Sequence, residues 1–145
     1  MTDAITSSGH CLCGAVQFTA ELANREIGAC HCGMCRSWSG GVFLAVEANS
    51  ITLTRADALA VYPSSEWGER CFCSVCGSSL FWRTRNHAHQ SVSVQALDNA
   101  GSFALTTQIF IDEKPAGYSF RESTSDMTGA EVFAAFSPGG DGQAS

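Results

Sequence analysis

Cys30-His31-Cys32-Gly33-Met34-Cys35 and Cys71-Phe72-Cys73-Ser74-Val75-Cys76 share one spacing, C-x-C-x2-C. A shorter pair, Cys11-Leu12-Cys13, precedes them, so the eight cysteines fall in three tight groups. Scattered core thiols do not cluster in this way, whereas metal ligands and redox groups do. C-x2-C lets two thiolates reach one tetrahedral ion from a tight turn. C-x-C on a strand turns both sulfurs to one face, because side chains alternate with period two. Glycine follows Cys13, Cys32 and Cys76. It accepts positive φ and lets backbone N–H groups approach a thiolate. Zinc is therefore the expected occupant. A thioredoxin-type redox pair would need a βαβ pattern that the chain lacks, and an iron–sulfur cluster is a further use of such thiol sets. Spacing alone suggests a zinc ribbon of Cys32, Cys35, Cys73 and Cys76 and leaves Cys11, Cys13, Cys30 and Cys71 open.

The rest of the chain sets the context. Its 145 residues suit one domain with a modest core, and 45% hydrophobic content is too high for a disordered protein. Eight Lys and Arg against 14 Asp and Glu, a net charge of −6, argue against a nucleic-acid partner. No apolar run approaches the ~20 residues of a membrane helix. Met1 to Thr6 show no basic region followed by an apolar run, so no export signal is expected. A cytoplasmic location follows, where thiols stay reduced and free for metal.

Short alternating runs point to strands. They are Val16–Ala20, with Val16, Phe18 and Ala20 on one face, Val42–Val46, Ile51–Thr54, Ser79–Arg83, Val92–Leu97 and Gln108–Ile111. Asn24–Ala29 and Thr84–Gln90 read as loops. One short helix is expected over Asp126–Phe136, capped by Asp126. The sum is an all-β, mainly antiparallel domain.

Four stretches together resemble the glutathione-dependent formaldehyde-activating (GFA) family. They are His10-Cys11-Leu12-Cys13-Gly14-Ala15-Val16-Gln17-Phe18, Cys30 to Gly40, Phe72-Cys73-Ser74-Val75-Cys76-Gly77-Ser78-Ser79-Leu80, and Leu97-Asp98. The resemblance runs from about His10 to Tyr118. It implies an Mss4-like zinc-bound β fold with little helix. Length points to a single domain, placed at residues 1–136, and the Gly-rich end, 137–145, is expected to be a disordered tail. The resemblance also implies a structural zinc on Cys11, Cys13, Cys73 and Cys76, with the first two on an early strand. A second, catalytic-type zinc would sit on Cys30, Cys32 and Cys35. Three protein ligands leave a fourth position open, as catalytic zinc requires. The implied activity is that of a carbon–sulfur lyase joining glutathione to formaldehyde as S-(hydroxymethyl)glutathione. The alternative is a non-enzymatic zinc module that binds a small thiol or a protein partner. Oligomeric state is not legible.

Cys71 departs from the family pattern, which has a small residue there. It reads as a spare thiol, with a fourth ligand to the second zinc or a redox partner as the other roles. Arg36, after Cys35, has the forked donors to orient a glutathione carboxylate, or serves as a structural arginine. His31, between two candidate ligands, is expected to point away toward the surface. His10 is expected to flank the first motif, His87 and His89 to lie exposed in a loop, Trp38, Trp67 and Trp82 to form core or pocket wall, and Phe43 and Phe81 to be core.

Overall fold

In the computed structural model, which describes residues 5–136, nine strands join in one sheet. Strand β1 (Ile5–His10) pairs antiparallel with the first half of β2 (Gln17–Cys30). Strand β3 (Phe43–Arg55) runs antiparallel along the other side of β2. Beyond β3 come β7 (Gln90–Ser93), β6 (Ser79–Thr84), β5 (Gly68–Cys73) and β4 (Leu59–Tyr62), each antiparallel to its neighbour. Strand β8 (Ala104–Ile109) lies parallel to the second half of β2, and β9 (Ser125–Met127) parallel to β8. The all-β expectation holds, and the pairing is antiparallel except at this last edge.

Alternation decides which side chains are buried. Val16, Phe18, Ala20 and Leu22 enter a large core with Leu80, Phe81, Val92 and Leu97. A smaller core gathers Cys30, Cys32, Cys35, Phe43, Trp82, Phe110 and Val132. Phe81 and Trp82 of β6 point into different cores, while a bulge in the pairing with β5 sends Leu80 into the large core beside Phe81.

Several boundaries differ from the sequence reading. The runs at Val42–Val46 and Ile51–Thr54 belong to one strand, β3. The loop expected at Asn24–Ala29 shrinks to a bulge. Leu22 pairs with Ala48 and Ile27 already with Val46, so the residues between them are looped out while β2 continues. The run from Val92 leaves the sheet at Ser93 for a 3-10 turn over Val94–Ala96, which keeps Val94 and Leu97 both buried. The run expected to reach Ile111 stops at Ile109, because Phe110 adopts left-handed backbone (φ 55°). Gly129 makes room for it: a Cβ there would lie 2.9 Å from Phe110 Cδ1.

Among the described residues there are two α-helices, α1 (Gly33–Ser39) and α2 (Gly129–Phe136). The expected cap of α2, Asp126, lies in β9 instead. Thr128 caps the helix, its Oγ1 accepting from Glu131 N while Glu131 Oε1 accepts from Thr128 N. This reciprocal pair satisfies two orphan donors at once. The tail expected at 137–145 lies outside the described residues.

Candidate metal centres and cleft

The hairpin turn between β1 and β2 carries Cys11 and Cys13, which therefore sit on a turn and not on a strand. Gly14, at φ 80°, donates its N–H to Cys11 O and closes the turn. Cys73 ends β5, and Cys76 lies in the turn that leads to β6. Their sulfurs converge with those of Cys11 and Cys13, all four within 4.8 Å of one another. Cys11 Sγ is 3.6 Å from Cys13 Sγ, which is 3.8 Å from Cys73 Sγ. A tetrahedral ion with metal–sulfur bonds of ~2.3 Å has sulfur–sulfur edges of about 3.8 Å, so the set fits zinc. Backbone N–H groups already point at these sulfurs, from Val16 to Cys11 and from Val75 and Cys76 to Cys73. Such donors stabilise thiolate. The Ser78 hydroxyl, followed by the Ser78 and Cys13 backbone, draws the Cys76 thiol down to about 5. His10 flanks the set, with Nδ1 donating to Cys11 O at 2.7 Å and Nε2 3.3 Å from Asp98 Oδ1.

The second set forms where β2 passes into α1. Cys30 ends the strand, Cys32 caps the helix with its sulfur accepting from Cys35 N, and Cys35 sits within the helix. All three are buried, with sulfurs within 4.8 Å of one another. Contacts with Cys32 and Cys35 and then burial push the Cys30 thiol far up. For Cys35, contact with Cys30 favours the thiolate, but the Cys32 sulfur and burial outweigh it and push the thiol up to about 11. Without a cation, Cys30 and Cys35 therefore favour the protonated form. A cation placed among them reverses that preference, which is the behaviour expected of a soft-metal donor set. Helix α1 was not foreseen, because cysteine is not a usual cap. The legible sign was Gly40, which ends the helix in left-handed backbone (φ 76°).

The two sets differ in access. A cavity of about 460 Å³ opens on Cys30 and Cys35. Its floor comes from β2, β3, β6 and β8, and Val132, Ala135 and Phe136 of α2 form a side wall. Phe43, Trp82, Ile109 and Met127 make it mostly apolar. Its charged or titratable lining is Glu26, Glu47 and His89, with no Lys or Arg among the described residues that line it.

Other residues take clear places. Arg36 does not line the cavity; its Nε donates to His31 O at 2.9 Å and braces the turn between Cys30 and Cys32. His31 is fully buried, contrary to the surface position expected, because its ring inserts between β8 and the segment after it. Its expected direction, away from the sulfurs, agrees with those contacts. Cys71 is fully buried in the large core and belongs to neither thiol set. Burial pushes it up to about 12, with Arg83 opposing and Glu69 assisting. That is the reverse of a reactive thiol. His87 and His89 lie in the β6–β7 loop, where His87 Nε2 is 3.7 Å from Glu69 Oε2. Trp38 packs at a tilt against Phe43 beside Arg70, a residue the sequence reading passed over. Arg70 is only 2% exposed, and its Nη1 donates to Cys35 Sγ at 3.5 Å.

Comparison with known proteins gives the same direction. The profile of the family described as glutathione-dependent formaldehyde-activating enzyme matches residues 6–113. An uncharacterized lyase of Schizosaccharomyces pombe is 29% identical over 86% of this chain and 92% of its own. A Halomonas elongata protein that provisionally bears the name glutathione-dependent formaldehyde-activating enzyme is 31% identical over 50% of this chain and 53% of its own. A crystal structure of a Rhodobacter sphaeroides protein is similar with a TM-score of 0.56 at 27% identity, over 68% of this chain and 99% of that one.

Proposed function

The chain belongs to the glutathione-dependent formaldehyde-activating enzyme family, and on that premise we propose that it is a zinc-dependent carbon–sulfur lyase acting on glutathione and a small aldehyde. The preferred substrate pair is glutathione and formaldehyde, interconverted with S-(hydroxymethyl)glutathione. Residues 1–136 act as one domain, in the cytoplasm, where reduction keeps the thiols available.

The observation that carries this reading is the contrast between the two thiol sets. Cys11, Cys13, Cys73 and Cys76 offer four donors, the number a tetrahedral structural zinc takes. Cys30, Cys32 and Cys35 offer three, and two of them face a cavity. The four-cysteine set would hold a structural zinc and the three-cysteine set a catalytic one. When bound, zinc lowers the pKa of a thiol and polarises an aldehyde oxygen.

The chain's own groups do the rest. Phe43, Trp82, Ile109 and Met127 give the reacting end of the thiol a dry, apolar slot. Without a lysine or arginine along that slot, the carboxylates of glutathione stay at the mouth, in water. Arg36 supports the site by bracing the Cys30–Cys35 turn. A redox role for Cys71 loses its support, given its burial and raised pKa.

Metal analysis together with a glutathione–formaldehyde adduct assay tests the reading. Two zincs per chain, one of them lost in Cys32→Ser, and faster adduct formation than the uncatalysed reaction are expected. A single zinc that Cys32→Ser leaves in place would favour the non-enzymatic binding module. Two zincs without acceleration would move the substrate to another thiol or aldehyde.

A further inference from the structure

Arg70 is the largest fully buried side chain among the described residues, and it carries a permanent charge. Burying a cation without an anion is costly. Yet no carboxylate pairs with it among the described residues, and its sequence neighbour Glu69 is taken by Arg83 at 2.7 Å. Its guanidinium touches the Trp38 ring, 5.2 Å from the centroid, and the sulfur of Cys35. Nη2 has no hydrogen-bond partner among the described residues. Among the described residues, the contacting group that can carry negative charge is the Cys35 sulfur, with those of Cys30 and Cys32 beside it.

We infer that Arg70 is the built-in counter-charge of the Cys30–Cys32–Cys35 set, a positioning residue that tunes it for one divalent ion on three thiolates. The inference rests on reading those thiols as a metal site. Three thiolates and a divalent ion sum to one negative charge, which Arg70 cancels. Three neutral thiols leave Arg70 uncompensated, and a fourth thiolate leaves an excess negative charge in the core. The strand enforces the arithmetic. Arg70 and Cys71 are consecutive on β5, pair with Trp82 and Phe81, and so face different cores. Cys71 is thereby turned away from the set that Arg70 serves.

The test is competition for zinc between the full-length purified protein and a chromophoric chelator. Wild type is expected to release two zincs in separate steps. Arg70→Met should weaken the three-cysteine step by about 10–100-fold, the range seen when partners outside the ligand set are removed, while the four-cysteine zinc is held as before. Arg70→Lys, which keeps the charge, should restore most of the affinity, a rescue that a merely structural role would not produce. Arg70→Gln keeps a donor for Cys35 without the charge. It should behave as the Met variant does, and it provides the reading if that variant fails to fold. Unchanged affinity in a folded Met or Gln variant overturns the inference while leaving the metal site standing. A wild-type chain with only one zinc overturns the metal reading, and the role of Arg70 with it.

Discussion

His31 Nε2 lies 2.8 Å from Gln108 Oε1, so a residue held between two candidate metal ligands faces away from both and into β8. The amide oxygen accepts, which puts the proton on Nε2 and leaves Nδ1 to accept from the Tyr118 hydroxyl at 3.3 Å. Gln108 Nε2 in turn donates to Thr124 Oγ1, and Thr124 donates to Asp126 Oδ1. The chain of bonds ties the thiol-bearing turn to β8 and β9. His31→Ala should cost about 2–4 kcal/mol, from the cavity and the stranded Gln108 amide. Urea unfolding of the zinc-loaded protein measures it, and a loss below about 1 kcal/mol would mean that water replaces the ring.

Metal removal should unfold the chain in two stages. Structural zinc contributes on the order of 10–16 kcal/mol of apparent binding energy, against ~5–15 kcal/mol for the stability of an ordinary domain. A strong chelator should first empty the three-cysteine set with little change in far-UV circular dichroism. Loss of the four-cysteine zinc should then coincide with loss of the strand signal, because that set clamps the β1–β2 turn to the β5–β6 turn.

Acid should empty the three-cysteine set first. A thiol at about 11, such as Cys35, keeps its proton through the neutral range, so metal must expel it. Each proton expelled makes apparent affinity fall about tenfold per pH unit of acidification. In the four-cysteine set Cys13, pushed up to about 11, also has a proton to expel, but Cys76, drawn down to about 5, is already ionised at neutral pH and gives up none, whereas Cys30 and Cys35 are both raised. Zinc counted after equilibration at descending pH should fall from two per chain to one before it reaches zero. Simultaneous loss would contradict this order.

Alkali should destabilise the protein through Cys71. The folded state holds this proton up to about 12, whereas an unfolded thiol releases it near ~8.5. The native state then binds more protons than the unfolded one, so stability declines as pH rises between those values. Wild type should lose about 2 kcal/mol more than Cys71→Ala between about pH 8 and pH 10.5, read from urea midpoints. Parallel pH profiles for the two proteins would refute the burial argument.

Much of this was legible in the residue order. Thiol clustering is local, so the residue order alone marked the cysteines as candidate metal ligands, and two of the sets do converge in space. Alternation in Val16–Ala20 marked the buried face correctly, because strand side chains alternate whatever they pack against, whereas in Ser79–Arg83 a bulge at Leu80 puts it in the same core as Phe81. Element ends were less legible. The chain leaves the sheet after Ser93, which keeps Val94 and Leu97 buried, and at Phe110, whose left-handed backbone ends the strand, and α2 takes its cap from Thr128, three residues before Glu131, rather than from Asp126.

The sequence by itself determined the chemistry available: eight thiols in three groups, on a β-rich frame. Spacing alone favoured a ribbon of Cys32, Cys35, Cys73 and Cys76, and the family resemblance was needed to divide the set otherwise. Only the tertiary structure brought the β1–β2 turn against the β5–β6 turn and left Cys30, Cys32 and Cys35 as a separate group beside a cavity. It alone placed Arg70 at that group and Cys71 on the opposite side. The physical reason is that spacing governs which donors neighbours can share, while charge compensation and access depend on what long-range strand pairing places next to them.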